Sequence, residues 1–205
     1  MKSAKGLASF CAELSSDQPS PGGGTASAAA GAMAASLLVM VCGITLKSKK
    51  HENEWDELRL LMDKLVLDRD ELIQLAEEDA NAYDLVVEAA KNRMLSDTGL
   101  AARKYEGALL DAAEVPMKTA LVCLRVMEKA ARVAEIGKKS ASSDVGVAIR
   151  LAEAGFRGAA MNVRINLSGM ADTYHVDSLS EKLSNKKAEM ELALQAALQG
   201  LEKRP

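Results

Sequence analysis

The chain has 205 residues, a formal net charge of −3, 48 % apolar residues and only 3 % aromatic ones. That length suits one large domain, and the slight acidity without any long basic run argues against nucleic acid as a partner. A core so short of rings must be built from Ala, Leu, Val and Met, which favours packed helices over a sheet, and four prolines in all leave room for long helices.

The first predicted helix runs from Ser3 to Ser15, with Leu7, Phe10, Cys11 and Leu14 on one face. Residues 17–25 form a loop holding Pro19, Pro21, Gly22, Gly23 and Gly24, and Thr25 is the expected N-cap of the next helix. Residues 18–46 carry no charge, and 26–46 are long enough to cross a bilayer. The Ala-, Gly- and Ser-rich first half and the absence of aromatic belts favour instead a helix buried within a bundle, with no membrane as partner. Lys47, Lys49 and Lys50 close that helix, where cations suit its dipole.

A long helix follows from Glu52 to Asn92, its seam stepping in threes and fours through Leu58, Leu61, Leu65, Asp68, Leu72, Leu75, Asp79, Ala82, Val86 and Ala89. The next spans Thr98 to Ile136, with a kink or break expected at Pro116. Ser140 to Asp144 is a polar link, and two further helices cover Val145 to Met170 and Ser178 to Glu202. Short connections and no alternating strand pattern give an all-α, up-and-down bundle over residues 1–205, one domain around a buried Ala-rich helix. That uncharged helix needs cover on every side, so a homodimer is expected. The three cysteines, Cys11, Cys42 and Cys123, sit among apolar neighbours and read as reduced core thiols of a cytoplasmic protein without a signal peptide. Two histidines and no Cys-x-x-Cys spacing give no metal site.

Three segments carry chemistry. In Pro21-Gly22-Gly23-Gly24-Thr25 the glycines allow very close approach of another group, and their N–H groups at a helix start suit an anion; the plainer reading is a turn or close helix packing. Asp79 is a carboxylate on an apolar stripe. It either pairs with a cation or faces a cavity, and a partly desolvated carboxyl is useful for moving protons near neutrality. Asp68 has the same helical position and an equal claim to a structural ion pair. Asn162 and Asn166, four apart, place two amides beside the small residues Ala148, Gly155 and Ala159; they either bridge helices or line a polar site.

Taken together, these segments resemble the cyclodeaminase domain of formiminotransferase-cyclodeaminase and the stand-alone methenyltetrahydrofolate cyclohydrolases. The marks are Pro19-x-Pro21-Gly22-Gly23-Gly24-Thr25, Asp79-Ala80-x-Ala82-Tyr83, Ala113-Glu114-Val115-Pro116, Ser143-Asp144-x-Gly146-Val147-Ala148 and Asn162-Val163-x-Ile165-Asn166-Leu167, in order along nearly the whole chain. The resemblance implies a dimeric helical bundle acting on a tetrahydrofolate one-carbon derivative, with no metal and no cofactor beyond that substrate. It places the catalytic acid–base group on Asp79 and the folate cleft at the glycine loop. Lys47, Asp144, Asn162 and Asn166 are the further expected substrate-binding residues. With no formiminotransferase segment in the chain, hydrolysis of 5,10-methenyltetrahydrofolate is the leading expectation; deamination of 5-formiminotetrahydrofolate, or a catalytically silent folate- or partner-binding module, are the alternatives.

Overall fold

The computed structural model describes residues 2–95 and 98–203, the side chains of residues 2–4 excepted. Six α-helices make up the fold: α1 (Lys2–Leu14), α2 (Gly23–Thr45), α3 (Trp55–Leu95), α4 (Gly99–Ile136), α5 (Ser142–Ser168) and α6 (Thr173–Glu202), with 3-10 turns at Lys49–Glu54 and Lys139–Ala141. Among the described residues there is no strand.

Helices α2, α3, α4 and α5 close into a four-helix ring, each packed on its two neighbours, while α6 lies mainly along α4. The Ala-rich α2 runs through this core. Ala28, Ala34, Ala35, Leu38, Val41 and Cys42 are all fully buried. Small residues set its spacing from α5: a Cβ on Gly155 would stand 2.8 Å from the Ser27 carbonyl oxygen and 2.9 Å from Cys123 Sγ, closer than side chains pack. Although long and apolar enough to cross a membrane, α2 has half of its most apolar stretch buried within the bundle.

Both seam aspartates of α3 face inward, and they are handled differently. Asp68 is buried and ion-paired, 3.0 Å from Arg125 Nε and 2.8 Å from Lys129 Nζ, both on α4. Arg125 also reaches Glu71. Removing Asp68 leaves the largely buried Lys129 ammonium without its carboxylate. Asp68→Ala should therefore cost about 2 to 3 kcal/mol in urea unfolding, below the fully buried range because Arg125 is partly exposed and keeps Glu71.

Several expectations need correction. Pro116 does not break α4, which runs unbroken from Gly99 to Ile136. The carbonyl its ring leaves without a donor, that of Ala112, is taken by the Asn166 side-chain amide of α5. Thr25 is not the N-cap of α2; the helix opens three residues earlier than expected, capped by Gly22, which has no side chain to offer. Helix α6 starts five residues before the predicted Ser178, because Asp172 caps it by accepting the Tyr174 and His175 N–H groups. Cys11 is exposed rather than a core thiol, since α1 lies at the periphery. Burial does push the Cys42 and Cys123 thiols up to about 12, which keeps them protonated and inert.

Past Ala82 on α3 and before Leu109 on α4 no residue is fully buried. The two helices continue beyond the bundle as a pair of arms, and the candidate site lies at their root.

Candidate active site

The first turn of α2 points its free N–H groups at α3, and the group standing there is Asp79. Its Oδ2 accepts the Thr25 hydroxyl at 3.1 Å, and its carboxylate also accepts the Thr25 backbone N–H. The aspartate thus does for α2 what Gly22 cannot: it supplies the anion that a helix N-terminus favours. Of the first-turn N–H groups of α2, that of Thr25 is thus taken by a protein carboxylate. Close approach is possible only because residue 24 is glycine; a Cβ there would run into all three atoms of the Asp79 carboxylate group.

Burial pushes the Asp79 carboxyl above its ordinary range, and the two Thr25 bonds pull it partly back. Among the described residues no cation pairs with it, in contrast to Asp68. Thr25→Val removes a bond made to the ionised form, so the carboxyl pKa should rise further. Titration of the Asp79 side-chain carbon signal by NMR in wild type and Thr25→Val should show this upward move, and an unchanged midpoint would exclude the bond as its cause.

Beside the carboxylate opens a cavity of about 300 Å3 lined by Pro19, Ser20, Gly22, Gly23, Gly24, Asp79, Ala82, Tyr83, Val86, Ala112, Asn162, Ile165 and Asn166. Each asparagine has one amide N–H committed to a backbone carbonyl: Asn162 Nδ2 donates to Gly158 at 2.9 Å, and Asn166 Nδ2 donates to Ala112. Their Oδ1 atoms are the acceptors left for a guest. Among the described residues no three His, Cys, Asp or Glu side chains are grouped so as to hold a metal ion.

The fold therefore brings together Gly22, Gly23, Gly24, Thr25, Asp79, Asn162 and Asn166. Pro21 sits one step away, lining a neighbouring groove with Phe10, Thr25 and Ile73. Two expected residues are not in this cleft. Lys47 lies two residues past the C-terminal end of α2, at the opposite pole, and that end is about 30 Å along the axis from Gly24. Asp144 sits in the first turn of α5, about 27 Å along that helix from Asn162. Sequence reasoning assigned no role to Tyr83, Val86, Ala112 or Ile165. Tyr83 was within reach, lying one turn past Asp79 on the same face.

An all-helical ring thus sets a partly desolvated carboxylate, with no cation paired to it among the described residues, against an amide-lined cavity. The chain belongs to the formiminotransferase-cyclodeaminase family, whose model matches residues 6–185. It is 36 % identical over 185 residues to a methenyltetrahydrofolate cyclohydrolase of Methylorubrum extorquens, covering 89 % of each chain. Mouse formimidoyltransferase-cyclodeaminase is 29 % identical over 97 % of this chain, which spans 37 % of that longer protein. The crystal structure of formiminotetrahydrofolate cyclodeaminase from Thermotoga maritima superposes with a TM-score of 0.87 at 30 % identity, covering 94 % of this chain and 93 % of that one.

Proposed function

We propose that this chain is a methenyltetrahydrofolate cyclohydrolase, converting 5,10-methenyltetrahydrofolate and water to 10-formyltetrahydrofolate. The observation that carries the reading is Asp79: an unpaired, desolvated carboxylate at the wall of a cavity, in a chain with a cyclohydrolase relative along almost its full length. The bridging carbon of the substrate is a delocalised cation and needs little electrophilic help. What it lacks is a deprotonated nucleophile. Asp79 takes a proton from water as the oxygen adds to that carbon, giving a neutral carbinol. The C–N5 bond then breaks as the carbonyl forms. The Asp79 carboxyl returns its proton to N5, and the carbinol proton leaves to solvent. The negative carboxylate also favours the cationic substrate over the neutral product.

A second reading is favoured by the Thermotoga structure. In it, N10 of 5-formiminotetrahydrofolate adds to the formimino carbon, and Asp79, protonated, donates to the departing ammonia. The upward shift of the carboxyl serves this acid role as well. Two assays separate the readings: loss of methenyltetrahydrofolate absorbance above the spontaneous rate, and ammonia release from formiminotetrahydrofolate. Turnover in the first alone supports the cyclohydrolase, turnover in the second alone replaces it, and background rates in both leave only a binding module.

The same proposal includes a homodimer. Met33 and Met40 on α2 remain 47 % and 41 % exposed, an apolar face that α3 and α5 leave uncovered. Sedimentation at micromolar concentration should show a species of twice the chain mass, and a monomer alone would exclude the pairing.

A further inference from the structure

We infer that Pro116 is a positioning residue for substrate recognition: by removing one backbone donor from α4 it fixes which end of the Asn166 amide is free to meet the pterin. The inference rests on the folate reading above. In an unbroken helix the carbonyl of residue 112 is bonded by the N–H of residue 116, and proline has none. The orphaned Ala112 carbonyl lies at the cavity wall, and Asn166 Nδ2 donates to it across from α5. A carbonyl accepts only from a donor, so the amide cannot turn over without setting two oxygens face to face. Its nitrogen is held at α4, and Oδ1 is left as the acceptor for a guest.

The choice of end matters because the guest is a donor on that edge. The reduced pterin ring carries a ring amide N–H, an exocyclic amino group and a secondary amine N–H, all of which need acceptors when they leave water. A freely turning asparagine would present its own N–H groups to them part of the time. Asn162, one turn earlier, donates to the Gly158 carbonyl of its own helix, so each amide on this wall has one N–H committed and its nitrogen end turned to the backbone. A proline in mid-helix is costly to keep, and a gain in substrate orientation accounts for its position.

The idea is tested with four proteins: wild type, Pro116→Ala, Asn166→Ala and the double variant. Pro116→Ala restores the helical bond, so it should melt at a higher temperature than wild type. It should nevertheless raise KM for 5,10-methenyltetrahydrofolate about five- to tenfold, with kcat within about twofold. Asn166→Ala should raise KM similarly and melt lower, because Ala112 then has no partner. The double variant should keep the KM of Asn166→Ala and regain its stability, since proline acts only through the amide. A merely structural proline would shift the melting temperature and leave KM alone. An unchanged KM in Pro116→Ala, with wild-type turnover intact, overturns the inference and leaves the cyclohydrolase reading standing. If wild type turns over neither folate, that reading fails by itself. The series is then read by calorimetric binding of 5-formyltetrahydrofolate: weaker binding by Pro116→Ala and Asn166→Ala alike supports the inference, and equal affinity or no binding in all four overturns it.

Discussion

Asp79→Asn should lower kcat for methenyltetrahydrofolate hydrolysis by about 10^2- to 10^4-fold, the range that a positioned proton-transfer group contributes, while the protein melts at or above the wild-type temperature. The two halves of this result come from one cause. Asparagine has the same shape, can still accept from the Thr25 hydroxyl and N–H, and sheds a charge that is half-desolvated with no cation beside it. Burial already disfavours the ionised carboxylate, as its raised pKa records, so neutralising it relieves the fold. A structural carboxylate behaves the other way: replacing Asp68, locked to Arg125 and Lys129, should unfold the protein more readily. Running both variants side by side in kinetic and thermal assays separates a group kept for chemistry from one kept for cohesion. Wild-type rates in Asp79→Asn would remove this side chain from the reaction.

The second large effect is expected from a single methyl. Gly24→Ala places a Cβ inside the Asp79 carboxylate group, and both positions are on helices that have little room to retreat. The carboxylate must swing away from Thr25, losing its hydrogen bonds and its aim at the cavity. Misplacement by about 1 Å at a reacting group is enough for roughly 10^2-fold in rate, so kcat/KM should fall by at least that. Gly43→Ala is the control. It lies on the same helix with nothing within 4 Å of the added methyl, and alanine there should leave turnover unchanged and raise stability by up to about 1 kcal/mol.

The period of the apolar positions made the helices readable, and it marked Asp68 and Asp79 as the two anomalies of α3. It did not tell them apart, because spacing along one helix says nothing of the register of the next. Arg125 and Lys129 stand opposite Asp68, and Gly24 stands opposite Asp79, through helix pairings that only the packed bundle displays. Lys47 was ambiguous for a different reason. A lysine at a helix end looks the same whether it caps a dipole or meets a ligand, yet helix rise alone sets it at the far pole from the glycine loop. Asn166 was legible as a buried amide needing a partner. The partner was also implicit in the sequence, since a proline at 116 leaves the carbonyl of residue 112 unbonded, and only the meeting of α4 with α5 connects the two facts.

The paired arms beyond Ala82 and Leu109 bear on how tightly any folate is held. They flank a groove of about 710 Å3, lined by Leu85, Ala89, Lys104 and Asp111 among others, which starts at the chain neighbours of Val86 and Ala112 of the cleft. Helices without buried anchors belong to the part of a protein that opens most often. A ligand that settles at their root must first quieten them, so some of its contact energy is consumed in ordering the chain and never registers as affinity.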